Sequence, residues 1–384
     1  MGNPKIKPQS LEKINFLLGL VIVLLIAIGV RIPQLNSSFW LDEAAQALES
    51  IRPFSQQLLI DHDFQPPLMH ILVHLFTLAN SSEWWLRLVS LISGLGTIIA
   101  TFALTKRIAN TKVAVLTTLF LTINSFHVFY SQELRPYALT GLFVATGWYL
   151  VVRIAEYQTF HPKLLILLVL NSIAGMYSTY LFPFAFLGQL LFLMSRRNTK
   201  AIAQALISGL VTTLAFLPWI PFLFGQMKVG RALQQSTPAW QAAVGTPQLK
   251  ALQLVVGKFV FGVIDLEVDV LFVFTTLIIL GLTAFLLHQL HRKIGITTQL
   301  IIGGWFVLPI FIIWIFSFFL PIIQPKRVLF ALPAFELIFA LVIVYGWQWK
   351  KTKIAAMVLL ILLTASHLFG TFAYYFNPKY QRED

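Results

Sequence analysis

The sequence predicts an all-α polytopic membrane protein of about eleven transmembrane helices, and three observations carry that prediction. Of 384 residues, 58% are hydrophobic and 11% charged, where an average soluble domain carries roughly 25% charged residues. The apolar residues arrive in blocks of about 20, the length a helix needs to cross roughly 30 Å of hydrocarbon. Lysine and arginine gather in the short turns between those blocks. A mean hydropathy of +0.79 is too high for one aqueous core. A β-barrel would need short alternating segments, and the sequence has none. With no cysteine there is no disulfide framework, no Cys-based zinc site and no thiol nucleophile. The net charge of +13 would suggest nucleic acid in a soluble protein. Here it reads as topology and contact with anionic membrane lipids, with no nucleic-acid partner.

The first span covers 14–32 and follows Lys5, Lys7 and Lys13; it is long for a signal peptide and no small-residue cleavage site follows. The apolar stretch 66–78 is too short to cross and is expected to lie on the surface. Ten more spans follow, at 84–105, 113–130, 136–154, 163–179, 181–195, 201–224, 268–287, 297–320, 327–346 and 353–374. A cytoplasmic N-terminus then puts Lys106, Arg107, Lys112, Arg153, Lys163, Arg196, Arg197, Lys200, Arg292, Lys293, Lys350, Lys351 and Lys353 inside. With the three N-terminal lysines these are sixteen of the 28 basic residues, so every inside turn obeys the positive-inside rule. A crossing at 66–78 would invert every later turn.

The acids run the other way. Asp42, Glu43, Glu49, Asp61, Asp63, Glu83, Glu133, Asp265, Glu267, Asp269, Glu383 and Asp384 fall outside; Glu12 and Glu156 fall inside, and Glu336 lies within a span. Acidic residues hardly influence orientation, so the asymmetry points to longer outer loops or to a reactive outer face. Two outer segments are long, 33–83 and 225–267. The first holds an amphipathic stretch at 44–60. Pro66 and Pro67 then suit the first turn of a surface helix over 68–78, and Trp84 and Trp85 sit at the interface. The second holds Trp240 and a helical stretch at 249–263, expected to be a lid or lateral helix. The chain reads as one membrane domain, with a catalytic module at 14–155 and more variable helices at 156–384.

Asp42 and Glu43 could act as general base on a hydroxyl or coordinate a cation. Glu133, at the junction of two spans, is a second outer acid, and charges at such depth are usually functional. Arg87 either snorkels to headgroups or pairs with one of these acids. Lys326 and Arg327 open a span from outside, against the charge trend, which calls for an anionic partner. A lipid-linked phosphate suits the forked geometry of arginine. His62, His70 and His74 invite a zinc reading, but Ile71-Leu72-Val73 supplies no glutamate between the spaced pair. No phosphate-cradling loop, dinucleotide turn or serine elbow is present.

Four fragments in order resemble the GT-C superfamily of membrane glycosyltransferases, in particular its protein-O-mannosyltransferase-like branch (family 39 type). They are Leu41-Asp42-Glu43; His62-Asp63 with Pro66-Pro67-Leu68; Arg87-Leu88 running into Ser90-Leu91-Ile92-Ser93-Gly94; and Tyr130-Ser131-Gln132-Glu133, then Arg135-Pro136-Tyr137. The resemblance implies a GT-C-like bundle with amphipathic surface helices in the first outer loop. It also implies transfer of a sugar, with inversion, from a polyprenyl-phosphate donor to a glycan, lipid or protein acceptor on the extracytoplasmic face of the cell membrane. Asp42 would then be the general base, with Glu43 beside it, and Glu133 would hold the acceptor or, with Asp42, a divalent ion such as Mg²⁺ or Mn²⁺. Arg135, Lys326 and Arg327 would steady the departing phosphate and Arg87 would orient the first-loop acids. His62, Asp63 and Tyr137 would complete the substrate-binding set. Where many relatives carry a histidine at the outer end of the fifth span, this chain has Tyr177-Ser178-Thr179-Tyr180, and only about ten polar residues follow the last span. A lipid-linked saccharide ligase or polymerase would concentrate its chemistry in one late outer loop. A flippase or transporter would show an inverted repeat with polar groups at the bilayer midplane.

Overall fold

The structure, a computed structural model, describes residues 9–58, 63–236, 248–264, 270–320 and 322–377. His62, Trp240, Asp265, Glu267 and Asp269 lie outside the described residues. Everything described is helix or connection, with no strand among the described residues.

The chain begins with α1 (Gln9–Arg31), then α2 (Leu41–Ile51) and α3 (Leu68–Thr77) of the first long segment. Next come α4 (Glu83–Ile108), α5 (Thr111–Ile123), α6 (Ser125–Gln132) and α7 (Tyr137–Ala155). They are followed by α8 (Pro162–Met176), α9 (Phe182–Ser195), α10 (Thr199–Phe216), α11 (Ile220–Ser236) and α12 (Gln248–Phe261). The last third holds α13 (Val270–Leu290), α14 (Ile296–Ile302), α15 (Leu308–Phe316), α16 (Leu332–Gly346) and α17 (Lys350–Phe376). Seven of the resulting segments are long and apolar enough to span a membrane, the bent pair α5–α6 makes an eighth, and the apolar parts of α1, α8 and α9 are shorter. Together these are the eleven expected spans. The ten residues of α3 rise only about 15 Å, half the hydrocarbon thickness, so α3 does not cross.

Burial separates core from periphery. In an apolar 18-residue window of the span at Pro325–Gly346, 83% of residues are buried, against 17% in the matching window of α13, so the former is the bundle's core and the latter faces lipid. Trp148 of α7 and Trp305 stack at the centre with ring centroids 6.1 Å apart. Beside them α9 meets a π-helical turn, Gly303–Val307, so closely that a Cβ on Gly188 would lie 2.1 Å from the Gly304 carbonyl oxygen. Only glycine fits there.

The third span is broken, which apolar patterning did not reveal. α5 and α6 meet at 63° around Asn124. In hydrocarbon the freed backbone groups need partners from the protein. Arg31, fully buried, donates to the carbonyls of Thr122 (3.1 Å) and Leu121 (3.4 Å) at the end of α5. Asn124 accepts from Phe126 N at 3.0 Å to start α6, and donates to Glu336 Oε1 (2.9 Å) and Phe259 O (2.8 Å). Glu336 therefore has partners: Asn124 on one side and His367 Nε2, 3.2 Å away, on the other. The break aims the end of α6, and the loop after it, at one end of the bundle.

That end also carries α2 and α3. At the opposite end the basic turns meet: Arg107 pairs with Glu156, Arg196 donates to Thr297 Oγ1 (3.2 Å), and Lys293 lies 3.5 Å from the Trp349 ring centroid.

Candidate active site

α2 presents an unusual helix face. Its buried side is polar, with Glu43, Gln46 and Ser50, whereas Leu41, Leu48 and Ile51 are exposed. The buried side is held by an ion pair. Arg87 of α4 donates from Nε to Glu43 Oε1 (3.0 Å) and from Nη2 to Oε2 (2.6 Å), with both side chains fully buried. Leu134 N donates to Oε1 at 2.7 Å, while Arg87 also reaches the carbonyls of Leu35 (2.8 Å), Ser37 and Ser38 (3.1 Å). Arg87 thus pairs with an acid and does not snorkel, and through it Glu43 joins α2, α4, the 32–40 turn and the α6–α7 loop.

Asp42 lies on the neighbouring face of α2 and is 40% exposed at its side chain. Lys326 Nζ approaches its Oδ2 to 3.7 Å, and the same ammonium lies 5.7 Å from the Tyr137 ring and 6.0 Å from the Trp40 ring. Arg135 binds Asp63 in a fork, Nη1 to Oδ2 at 3.0 Å and Nη2 to Oδ1 at 3.2 Å. Burial alone would lower the Arg135 guanidinium and raise the Asp63 carboxyl. Asp63, Tyr137 and Asp42 outweigh burial and push Arg135 up; the His70 hydrogen bond and Arg135 bring Asp63 below its usual value. Arg327 lies within the electrostatic reach of Arg135 and Tyr137, and donates to Ile322 O at 3.2 Å. One exposed carboxylate and three cations, Arg135, Lys326 and Arg327, therefore converge around Tyr137. Such a set can take a proton from a hydroxyl and receive an anion.

Glu133 is fully buried where α6 ends, and the backbone turn that follows it brings Leu134 N to Glu43 and Arg135 to Asp63. His62 lies outside the described residues. The sequence reading missed Gln46 and Gln65 and weighed His70 only for zinc; all three are buried around Asp63, and Gln226 Nε2 of α11 donates to Gln65 O at 3.3 Å. Tyr180 donates to Gln226 Oε1 (2.7 Å) and accepts from Trp219 Nε1 (3.0 Å), and burial pushes its hydroxyl up to about 12. Helical spacing was the available signal: Gln46 and Ser50 share the face of α2 that carries Glu43.

A family model described as dolichyl-phosphate-mannose-protein mannosyltransferase matches residues 64–224, from the loop before α3 to the start of α11. No curated protein sequence matches the chain. Among solved structures, apo ArnT from Cupriavidus metallidurans superposes with a TM-score of 0.61 at 12% identity, covering 94% of this chain and 75% of that one. The archaeal oligosaccharyltransferase AglB from Archaeoglobus fulgidus, in complex with an inhibitory peptide and a dolichol-phosphate, gives 0.59 at 11% identity over 94% of this chain. The chain has the GT-C fold. It spans 56% of the length of the archaeal enzyme. GT-C architecture thus extends over nearly the whole chain, although sequence identity is too low to carry residue roles across.

The archaeal enzyme has also been solved in complex with zinc and sulfate. Of the two acids expected to hold such an ion, Asp42 has Lys326 beside it and Glu133 is fully buried; Glu43 pairs with Arg87 and Asp63 with Arg135. Among the described residues no three His, Asp or Glu side chains gather as a metal site.

Proposed function

We propose that this protein is an integral membrane glycosyltransferase that moves a sugar from a polyprenyl-phosphate donor to an acceptor hydroxyl on the extracytoplasmic side, with inversion. The observation that carries the reading is the meeting of Asp42 with Lys326, Arg135 and Arg327 at one rim of the bundle. Asp42 takes the proton as the acceptor oxygen attacks the anomeric carbon. The bond from that carbon to the phosphate oxygen breaks, and the charge passes to the leaving polyprenyl phosphate. Arg135, Lys326 and Arg327 stabilise that charge, in a site where the low dielectric strengthens the interaction. Tyr137 lies against Lys326 and bounds the phosphate side. Glu133 serves the acceptor, with Arg87 and Glu43 fixing the frame. No step is routed through a metal ion. The dolichol-phosphate in the archaeal neighbour and the family description, which names a dolichyl-phosphate sugar, support a polyprenyl carrier.

The basic end is assigned to the cytoplasm, which leaves the site outside. A chain without cysteine makes this directly testable. A single Cys at Ser81 should react with an impermeant maleimide from outside, and one at Asn110 should not; the reverse result inverts the topology. For the reaction, purified protein given synthetic polyprenyl-phosphate sugar and envelope acceptors should release free polyprenyl phosphate only when acceptor is present. Acceptor-independent release, or none, removes the transferase reading.

A further inference from the structure

His70 and His74 share one side of α3, yet only His70 reaches the candidate site. His74 Nδ1 bonds the Ser50 carbonyl at 2.9 Å, whereas His70, fully buried, faces Asp63. We infer that His70 is a positioning residue: acting through Asp63, it sets the Arg135 guanidinium in the orientation that receives the lipid phosphate. This rests on the proposed function and names how one of its phosphate ligands is aimed.

The chain of contacts is continuous. Gln46 Nε2 donates to His70 Nδ1 at 2.8 Å, so the ring proton belongs on Nε2, which lies 3.3 Å from Asp63 Oδ2. Gln65 Nε2 directs its two protons to that carboxylate oxygen, at 2.6 Å, and to Gln46 Oε1, so it crowds the ring nitrogen at 2.8 Å without a hydrogen bond to it. Asp63 then offers both oxygens to Arg135. The fork uses Nη1 and Nη2, and Arg135 Nε is a buried donor with no partner among the described residues. A buried unmet donor is unfavourable unless a ligand meets it, and it sits on the residue that faces Arg327 and Tyr137.

The arrangement follows from flexibility. Arginine has a long side chain with many rotamers, and a single carboxylate can hold it only if that carboxylate is itself fixed. Asp63 lies in an irregular segment before α3, where no helix fixes its side chain. The buried ring on α3 supplies what the backbone does not. Asp63 therefore acts on Arg135 from behind, and His70 acts on Asp63.

The alternative is that His70 only fills space, and three variants of the full chain separate the two. His70→Phe keeps the volume and loses the N–H; His70→Gln keeps an N–H near Nε2; Asp63→Asn keeps the shape but loses the charge. The probe is free synthetic polyprenyl phosphate, with its affinity for purified protein measured beside each variant's melting temperature. His70→Phe and Asp63→Asn should each weaken binding about tenfold, and the double variant should be no weaker than Asp63→Asn alone, because both act along one path. His70→Gln should return to within about threefold of wild type. If His70→Phe binds as wild type does, or His70→Gln is as weak as His70→Phe, the positioning role is overturned while the phosphate site stands. If wild type does not bind polyprenyl phosphate, the functional reading falls and this inference falls with it.

Discussion

Asp42 and Glu43 are neighbours in the chain and opposites in the structure. Successive residues of a helix point about 100° apart, so α2 turns Glu43 into the protein and leaves Asp42 at the rim. Glu43 is fully buried and takes hydrogen bonds from Arg87 and from Leu134 N; Asp42 is 40% exposed and has Lys326 at 3.7 Å. A carboxylate whose oxygens are bound by a guanidinium and a backbone N–H cannot readily accept a proton. One that an ammonium approaches loosely can. Composition alone treats the pair as one acidic motif, but the geometry divides it into a buried anchor and an open rim carboxylate.

Breaking that comparison at Asp42 should give the largest effect. Asp42→Asn keeps the shape and cannot accept a proton, and turnover should fall by about 10²–10⁴ while the melting temperature and affinity for the donor hold. Turnover within a few-fold of wild type would make Asp42 a rim charge only. Glu43→Gln and Arg87→Ala should fail differently. Removing one partner of a buried ion pair leaves the other uncompensated, with a stability loss of about 3–5 kcal/mol. Low yield and a lower melting temperature are expected; a stable Arg87→Ala variant lacking only turnover would move Glu43 into the chemistry.

Much of the fold was legible because hydrocarbon imposes length: the blocks of about 20 apolar residues in the sequence became spans, and the short stretch before Trp84 became α3. The break at Asn124 was hidden because its causes are distant in sequence. Arg31, Glu336 and Phe259 satisfy it from other parts of the bundle. The same limit applies to the site. Asp42, Arg135, Tyr137, Lys326 and Arg327 were recognisable as polar residues at the outer rim. That Arg135 belongs to Asp63 and Arg87 to Glu43 depends on approaches across 72 and 44 residues, which no local spacing records.

The cations sharpen the comparison further. Arg327→Ala should lower turnover more than Arg327→Lys, with wild type above both, because lysine keeps the charge but loses the forked geometry. Product inhibition by free polyprenyl phosphate should weaken in the same order. Equal behaviour of Lys and Arg at 327 would place the guanidinium among headgroups, with Lys326 or Arg135 taking the phosphate.

The smallest effect concerns pH, and it tests whether Asp63 is paired as tightly as Glu43 or is as open as Asp42. Burial would raise the Asp63 carboxyl, but the His70 hydrogen bond and the Arg135 guanidinium outweigh it, so it titrates below its ordinary 3.8. A depressed carboxyl contributes fully above its ordinary value and loses the contribution only as pH falls through the lower, folded value. Its hold on Arg135 should therefore be unchanged between pH 7 and pH 5. The probe for this is the polyprenyl-phosphate sugar, a phosphodiester with one fixed charge, because the free monoester changes its own charge near pH 6. Donor affinity in the wild type should stay within about twofold over that window if the paired carboxyl is its main acid-sensitive support. Asp63→Asn should be weaker at both pH values by the same factor. A wild-type loss between pH 6 and 5 that is absent from Asp63→Asn would mean that Asp63 titrates well above its ordinary value, and that the Arg135 fork does not hold it in solution.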